Sequence, residues 1–140
     1  MGLDYGLARC GIAVQDDLGL LAHPRQTLPA KDLEALVAAI CDLARDEDVT
    51  CFVLGLPLSL RGHEGEAAER TRTFAQVLAA KSKREVILWD ERLTTVSAHR
   101  DLRNAGYSAR SSKSKVDAVA AVTILQSWLD RPAKPLKSED

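Results

Sequence analysis

The spacing of hydrophobic positions changes character along the chain. Near the amino terminus they fall in short runs broken by glycine and polar residues. Residues 1–5 read as the end of a short strand, Gly6-Leu7-Ala8-Arg9 as a turn, and Gly11-Ile12-Ala13-Val14 as a second strand. Asp16-Asp17-Leu18-Gly19 predicts another turn and residues 23–28 a third strand, so the chain opens as an antiparallel meander. From Leu33 the period becomes helical. Leu33, Leu36, Val37, Ile40, Leu43 and Ala44 predict an amphipathic helix over residues 31–45. Residues 51–54 form an apolar run closed by Gly55 and Pro57, as expected of a buried strand. Ala67, Ala68, Thr71, Phe74, Ala75 and Leu78 mark a second helix, and residues 86–89 another buried strand. A helix is predicted over residues 94–104, with Gly106 near its C-cap. A last helix over residues 114–130 is stopped by Pro132.

The predicted order is β-β-β-α-β-α-β-α-α. Three strands followed by α/β alternation imply an α/β fold whose five-stranded mixed sheet is flanked by helices. No linker or repeat divides the 140 residues, so a single domain is expected over residues 1–131, with a polar tail at 132–140. Ligands of such sheets gather outside the carboxyl ends of the strands. Composition adds few constraints: 46% hydrophobic and 28% charged residues are ordinary for a globular chain. No apolar run approaches the ~20 residues that span a bilayer, and no signal peptide opens the chain, so no membrane partner and a cytoplasmic location are expected. Cys10, Cys41 and Cys51 fit neither a zinc spacing nor a disulfide framework and are expected to be reduced and buried. His23, His63 and His99 lack partners at ligand spacing.

Charge changes the picture more. Asp4 closes the first strand, Asp90 and Glu91 close the last, and Asp117 interrupts an apolar helical stretch. Two strands ending in acids, with a third acid on a packed helix, can bring carboxylates to one edge of a sheet. Such a cluster is costly unless a cation neutralises it. Oxygen-rich sites suit Mg²⁺ or Mn²⁺, and two such ions ~4 Å apart support phosphodiester hydrolysis. Each acid also has a plainer reading. Asp4 can begin a turn, Asp90 and Glu91 can be solvated or cap the following helix, and Asp117 can answer Ser114 in a capping box. Between Arg92 and Lys115 lie Arg92, Arg100, Arg103, Arg110, Lys113 and Lys115 against Asp101 alone, a local +5 in a chain of net −1. Cationic side chains leading into a helix N-terminus favour phosphate. Few aromatics are present, so recognition by backbone and shape is expected.

Four blocks, in order, resemble the YqgF (RuvX-like) family: Gly2-Leu3-Asp4-Tyr5-Gly6 with Arg9 and Gly11-Ile12-Ala13-Val14; Gly55-Leu56-Pro57-Leu58 with Gly62 and Glu64-Gly65; Trp89-Asp90-Glu91-Arg92-Leu93-Thr94-Thr95; and Lys115-Val116-Asp117-Ala118-Val119-Ala120-Ala121. The resemblance implies an RNase H-like fold. It also implies nuclease action, either in maturing the 5′ end of pre-16S rRNA or as a Holliday junction (branched DNA) resolvase. Carried over by position, Asp4, Glu91 and Asp117 would be the catalytic and metal-binding acids, with Asp90 a further metal candidate. Arg9, Arg92, Arg103, Arg110, Lys113 and Lys115 would meet the nucleic acid. Family members carry several residues before the first block, so the first strand is expected to be short here. The expected cofactors are two Mg²⁺ or Mn²⁺ ions, and the expected partner is structured RNA or branched DNA; a homodimer is compatible with the chain. Two other functions fit parts of the pattern. The Asp4-Tyr5-Gly6 segment resembles the phosphate loop of the actin and sugar-kinase fold, but that chemistry needs two such domains. A non-catalytic nucleic-acid-binding module would not need the acids.

Overall fold

A computed structural model describes residues 1–94 and 110–132, with side chains in the second segment from residue 118 onward. The elements are β1 (Gly2–Tyr5), β2 (Arg9–Gln15), β3 (Ala22–Pro24), β4 (Leu28–Pro29), α1 (Leu33–Asp46), β5 (Cys51–Leu56), α2 (Glu66–Ser82), β6 (Glu85–Asp90), a 3-10 turn (Glu91–Leu93) and α3 (Arg110–Leu129). One mixed sheet runs β3-β2-β1-β5-β6. β1 pairs antiparallel with β2 and parallel with β5, and β5 pairs parallel with β6. The α/β class and the mixed sheet agree with the sequence pattern.

Several boundaries differ from expectation. The third strand is broken: residues 22–24 pair with 13–15, residues 28–29 pair with 9–10, and both lie along the same edge of β2. The sheet therefore has six strands, of which β4 stands off the five-strand path. Between the two pieces the Arg25 amide still donates to the Ile12 carbonyl at 2.8 Å. The Arg25 guanidinium turns away to hold Glu47 through two hydrogen bonds of 2.8 and 3.0 Å. β5 runs through Gly55 to Leu56 instead of ending before the glycine. α1 starts at Leu33 because the Asp32 side chain accepts from the Ala35 amide, fixing Asp32 as N-cap. α3 begins at Arg110, so Ser114 lies inside the helix and does not cap it. The capping-box reading of Ser114 and Asp117 thus fails on backbone grounds. The helix expected over 94–104 lies outside the described residues beyond Thr94, as do His99, Arg100, Arg103 and the tail from 133. Cys10 is buried, whereas Cys41 and Cys51 are only half-buried; all three are free thiols.

Strand alternation gives the sheet two unlike faces. Leu3, Cys10, Ile12, Phe52 and Leu54 point to the side covered by α1 and α2, where Leu36, Ile40, Phe74 and Leu78 complete the larger core. Ala13 and Val53 point to the other side, under Ala120, Ala121, Ile124 and Leu125 of α3. There the helix lies almost on the strand: a Cβ at Gly2 would stand 2.8 Å from the Ala121 carbonyl oxygen. Trp128 lines a cavity with Met1 and Cys51, at the amino ends of β1 and β5. With Ala121 over Gly2, α3 therefore runs from the carboxyl edge of the parallel strands toward their amino edge. No helix among the described residues is long and apolar enough to cross a membrane.

Candidate active site

Asp4 is on β1, the middle strand of the five-strand path, and is buried at 7% exposure. By alternation it shares the α3 face with Gly2. Its antiparallel partner is Gly11. The β1–β5 register pairs Leu3 with Leu54, so one residue further on Asp4 stands beside Gly55. Both cross-strand neighbours of the carboxylate are thus glycines, and no side chain rises from either strand beside it. Glycine inside a strand marks a close approach by another group.

On β5 that group is Glu91. This residue opens the 3-10 turn just past β6 and is itself buried at 8%. A Cβ at Gly55 would lie 3.1 Å from Glu91 Cγ and 3.2 Å from its Cδ, so the side chain folds back over the glycine. β6 is two strands from β1, roughly 10 Å away at the usual spacing. By reaching back over Gly55, Glu91 brings its carboxyl group to within about one strand spacing of Asp4. β5 stands between the two strands that carry these acids, and its bare glycine lets Glu91 reach toward Asp4. Gly11 and Gly55 are the site residues that sequence reasoning missed; the available signal was a glycine within each otherwise apolar strand.

Asp117 lies on α3 one turn before Ala121, which places this helical position toward the carboxyl edge where Asp4 and Glu91 stand. Arg110, Lys113 and Lys115 occupy the first two turns of the same helix. Arg9 begins β2 beside the Gly6–Arg9 turn, closed by a 2.9 Å bond from the Gly6 amide to the Arg9 carbonyl. Alternation from buried Cys10 puts Arg9 on the face of Asp4. Asp90 and Arg92 are engaged with each other. The carboxylate accepts from the Arg92 backbone and guanidinium, and that guanidinium holds its pKa below the ordinary carboxylate range. Among the described residues, no group of three or more His, Cys, Asp or Glu side chains is arranged to hold a metal. Asp4 and Glu91 supply two buried oxygen donors, and the Asp117 side chain is not among those described. His23 and His63 are exposed, in keeping with solvated roles.

Comparison with known proteins extends this picture. Residues 1–131 match the family model RuvX, described as Holliday junction resolvase. A Myxococcus xanthus protein named "Putative pre-16S rRNA nuclease" is 46% identical over 135 residues, covering 96% of this chain and 89% of that protein. A Ruminiclostridium cellulolyticum protein of the same name is 39% identical over 139 residues, covering 99% and 98%. Among solved structures, Thermus thermophilus RuvC in complex with a Holliday junction substrate superposes with a TM-score of 0.53 at 11% identity, over 91% of each chain. A second Thermus thermophilus RuvC structure gives 0.54 at 12% identity, over 91% of this chain and 92% of that one. At these identities the likeness concerns the fold, which is RNase H-like.

Proposed function

The chain belongs to the RuvX family, and from that premise we propose that it is a divalent-metal-dependent nuclease acting on structured nucleic acid, with the 5′ end of pre-16S rRNA as its substrate. The observation that carries this reading is the burial of two carboxylates on one face of the sheet, Asp4 on its central strand and Glu91 folded over Gly55 of the strand beside it. Buried acids side by side oppose one another's ionisation. An all-oxygen donor set of this kind fits Mg²⁺ or Mn²⁺. Asp4, Glu91 and Asp117 would hold the ions. Divalent cations there would supply charge to the phosphate and lower the pKa of the attacking water.

The chain's own part is to position and to exclude. Asp4, on the central strand, lies under the scissile phosphate. Glu91 flanks it from the end of β6, and Asp117 closes the site from α3. Water adds to phosphorus as the bond to the leaving oxygen breaks, and the leaving oxygen takes up a proton. No serine or cysteine nucleophile is required, so hydrolysis is direct. Arg9, with Arg103, Arg110, Lys113 and Lys115, holds the flanking phosphates and sets affinity rather than chemistry. Branched DNA is the second substrate, favoured by the family's description.

The test measures cleavage and binding on one protein. Asp4→Asn should abolish cleavage of pre-rRNA and four-way junctions yet bind both, because its cationic residues are intact. Full cleavage by Asp4→Asn, or cleavage persisting in EDTA, refutes the proposal. The substrate cut by the wild type decides between RNA and branched DNA.

A further inference from the structure

Arg92 follows Glu91 in the 3-10 turn, and nearly all of its polar contacts fall on one residue. Its amide donates to Asp90 Oδ1 at 2.9 Å. Its Nε stands 3.1 and 3.0 Å from the two oxygens of the same carboxylate, and Nη2 donates to Oδ2 at 2.6 Å. Nη1 remains, and it faces the loop between β5 and α2, 3.5 Å from the Leu60 carbonyl oxygen. The loop also passes close at Gly62, where a Cβ would stand 3.1 Å from Nη1. Gly62 has φ +83°, a conformation suited to glycine.

The loop is a closed turn in its own right. The Ser59 amide donates to the His63 carbonyl at 3.0 Å and the Gly62 amide to the Ser59 carbonyl at 2.8 Å. The His63 amide donates to Ser59 Oγ at 3.0 Å. Its far end is fixed by Glu64, which accepts two 2.6 Å bonds from Arg72 of α2. The Arg92 guanidinium therefore rests a pre-formed loop against the turn that carries Glu91.

We infer that Asp90 and Arg92 are positioning residues: together they latch the 57–65 loop to the Glu91 turn, holding Glu91 over Gly55 and fixing one wall of the site. Asp90 is then not a metal ligand, and Arg92 is not a phosphate contact. The pair is partly exposed, with side chains at 24% and 38%, so its value is geometric and its contribution to global stability is small. A planar fork is required, since one branch grips Asp90 while the other meets the loop; lysine keeps the charge but not the fork.

The latch stands on contacts alone, whereas its consequence for cleavage rests on the nuclease reading. The experiment separates them. Hydrogen exchange of the 57–65 amides is followed by mass spectrometry in Arg92→Lys, Asp90→Asn and Gly62→Ala, the last perturbing the contact from the loop side. Each should exchange about tenfold faster across 59–63 while global melting stays close to wild type. In Asp90→Asn, Mn²⁺ affinity measured calorimetrically should be unchanged. In Arg92→Lys, kcat should fall about tenfold at unchanged nucleic-acid Kd. Unchanged loop exchange in Arg92→Lys and Asp90→Asn overturns the latch, as does loss of Mn²⁺ affinity in Asp90→Asn without faster exchange. If the wild type cleaves nothing, the nuclease reading fails, and the exchange and Mn²⁺ measurements still decide the latch.

Discussion

Replacing Gly55 with alanine adds one methyl group at the point where three elements meet. The new Cβ would stand 2.6 Å from Ile124 Cδ1, 3.1 Å from Glu91 Cγ and 3.2 Å from Glu91 Cδ. The first distance is below any ordinary carbon–carbon contact, and the other two are short by a few tenths of an ångström. Ile124 is fully buried between α3 and the sheet, so its methyl group has no solvent to move into. Overpacking of this kind costs about 1–3 kcal/mol. For a chain of this size that lowers Tm by roughly 3–10 °C. Glu91 sits at the end of a strand and yields more easily, and its carboxyl group shifts away from the Asp4 side. Active-site displacements near 1 Å cost about a hundredfold, so a few tenths should lower kcat roughly tenfold. The assay combines thermal melting with single-turnover cleavage and a Mn²⁺ titration. Cleavage should fall well below what the folded fraction at the assay temperature explains. A Gly55→Ala protein with wild-type melting and wild-type kcat would refute the placement of Glu91 over Gly55.

Three further outcomes are expected. Asp117→Asn should lose Mn²⁺ affinity while remaining folded, and Mg²⁺ or Mn²⁺ should raise the wild-type Tm by more than it raises that of the variant. Lys113→Ala with Lys115→Ala should weaken nucleic-acid binding for all sequences and flatten the salt dependence by about one unit per lost phosphate contact. The Arg25 hydrogen bond lowers the Glu47 pKa from the usual 4.5, so the stability it lends is present above that value and is lost as pH falls through the folded pKa. Glu47→Gln should thus cost up to about 1 kcal/mol in urea titrations at pH 7, discounted for a partly exposed pair, and the difference from wild type should shrink as the titrations are repeated at progressively more acidic pH.

The acids near the ends of β1 and β6 were legible in the sequence because apolar runs stop at Asp4 and at Asp90-Glu91, although β1 continues one residue further, to Tyr5, in its pairing with β2. The meander and the parallel pairs were legible because turn residues and period carry them. The break in the third strand was not. At the break Arg25 bonds Glu47, a contact between residues distant in sequence that leaves no periodic trace. The start of α3 was misread because Ser114 resembles a cap, although the helix continues back to Arg110.

The division of labour between the two adjacent acids Asp90 and Glu91 was equally hidden. One residue apart in sequence, they differ by whether the chain is still a strand. Asp90 is the last residue of β6 and meets the arginine two positions on. Glu91 has already entered the turn, which rotates its side chain back over the sheet. Alternation cannot predict that rotation, because it holds only within a strand. What makes the inward position tolerable is the lack of a side chain at Gly55, on a strand that contributes no acid. The shape of this edge therefore depends as much on where the chain omits a side chain as on where it places a carboxylate. Asp4 follows the same rule: it stands between Gly11 and Gly55, so neither neighbouring strand sets a side chain beside its carboxylate.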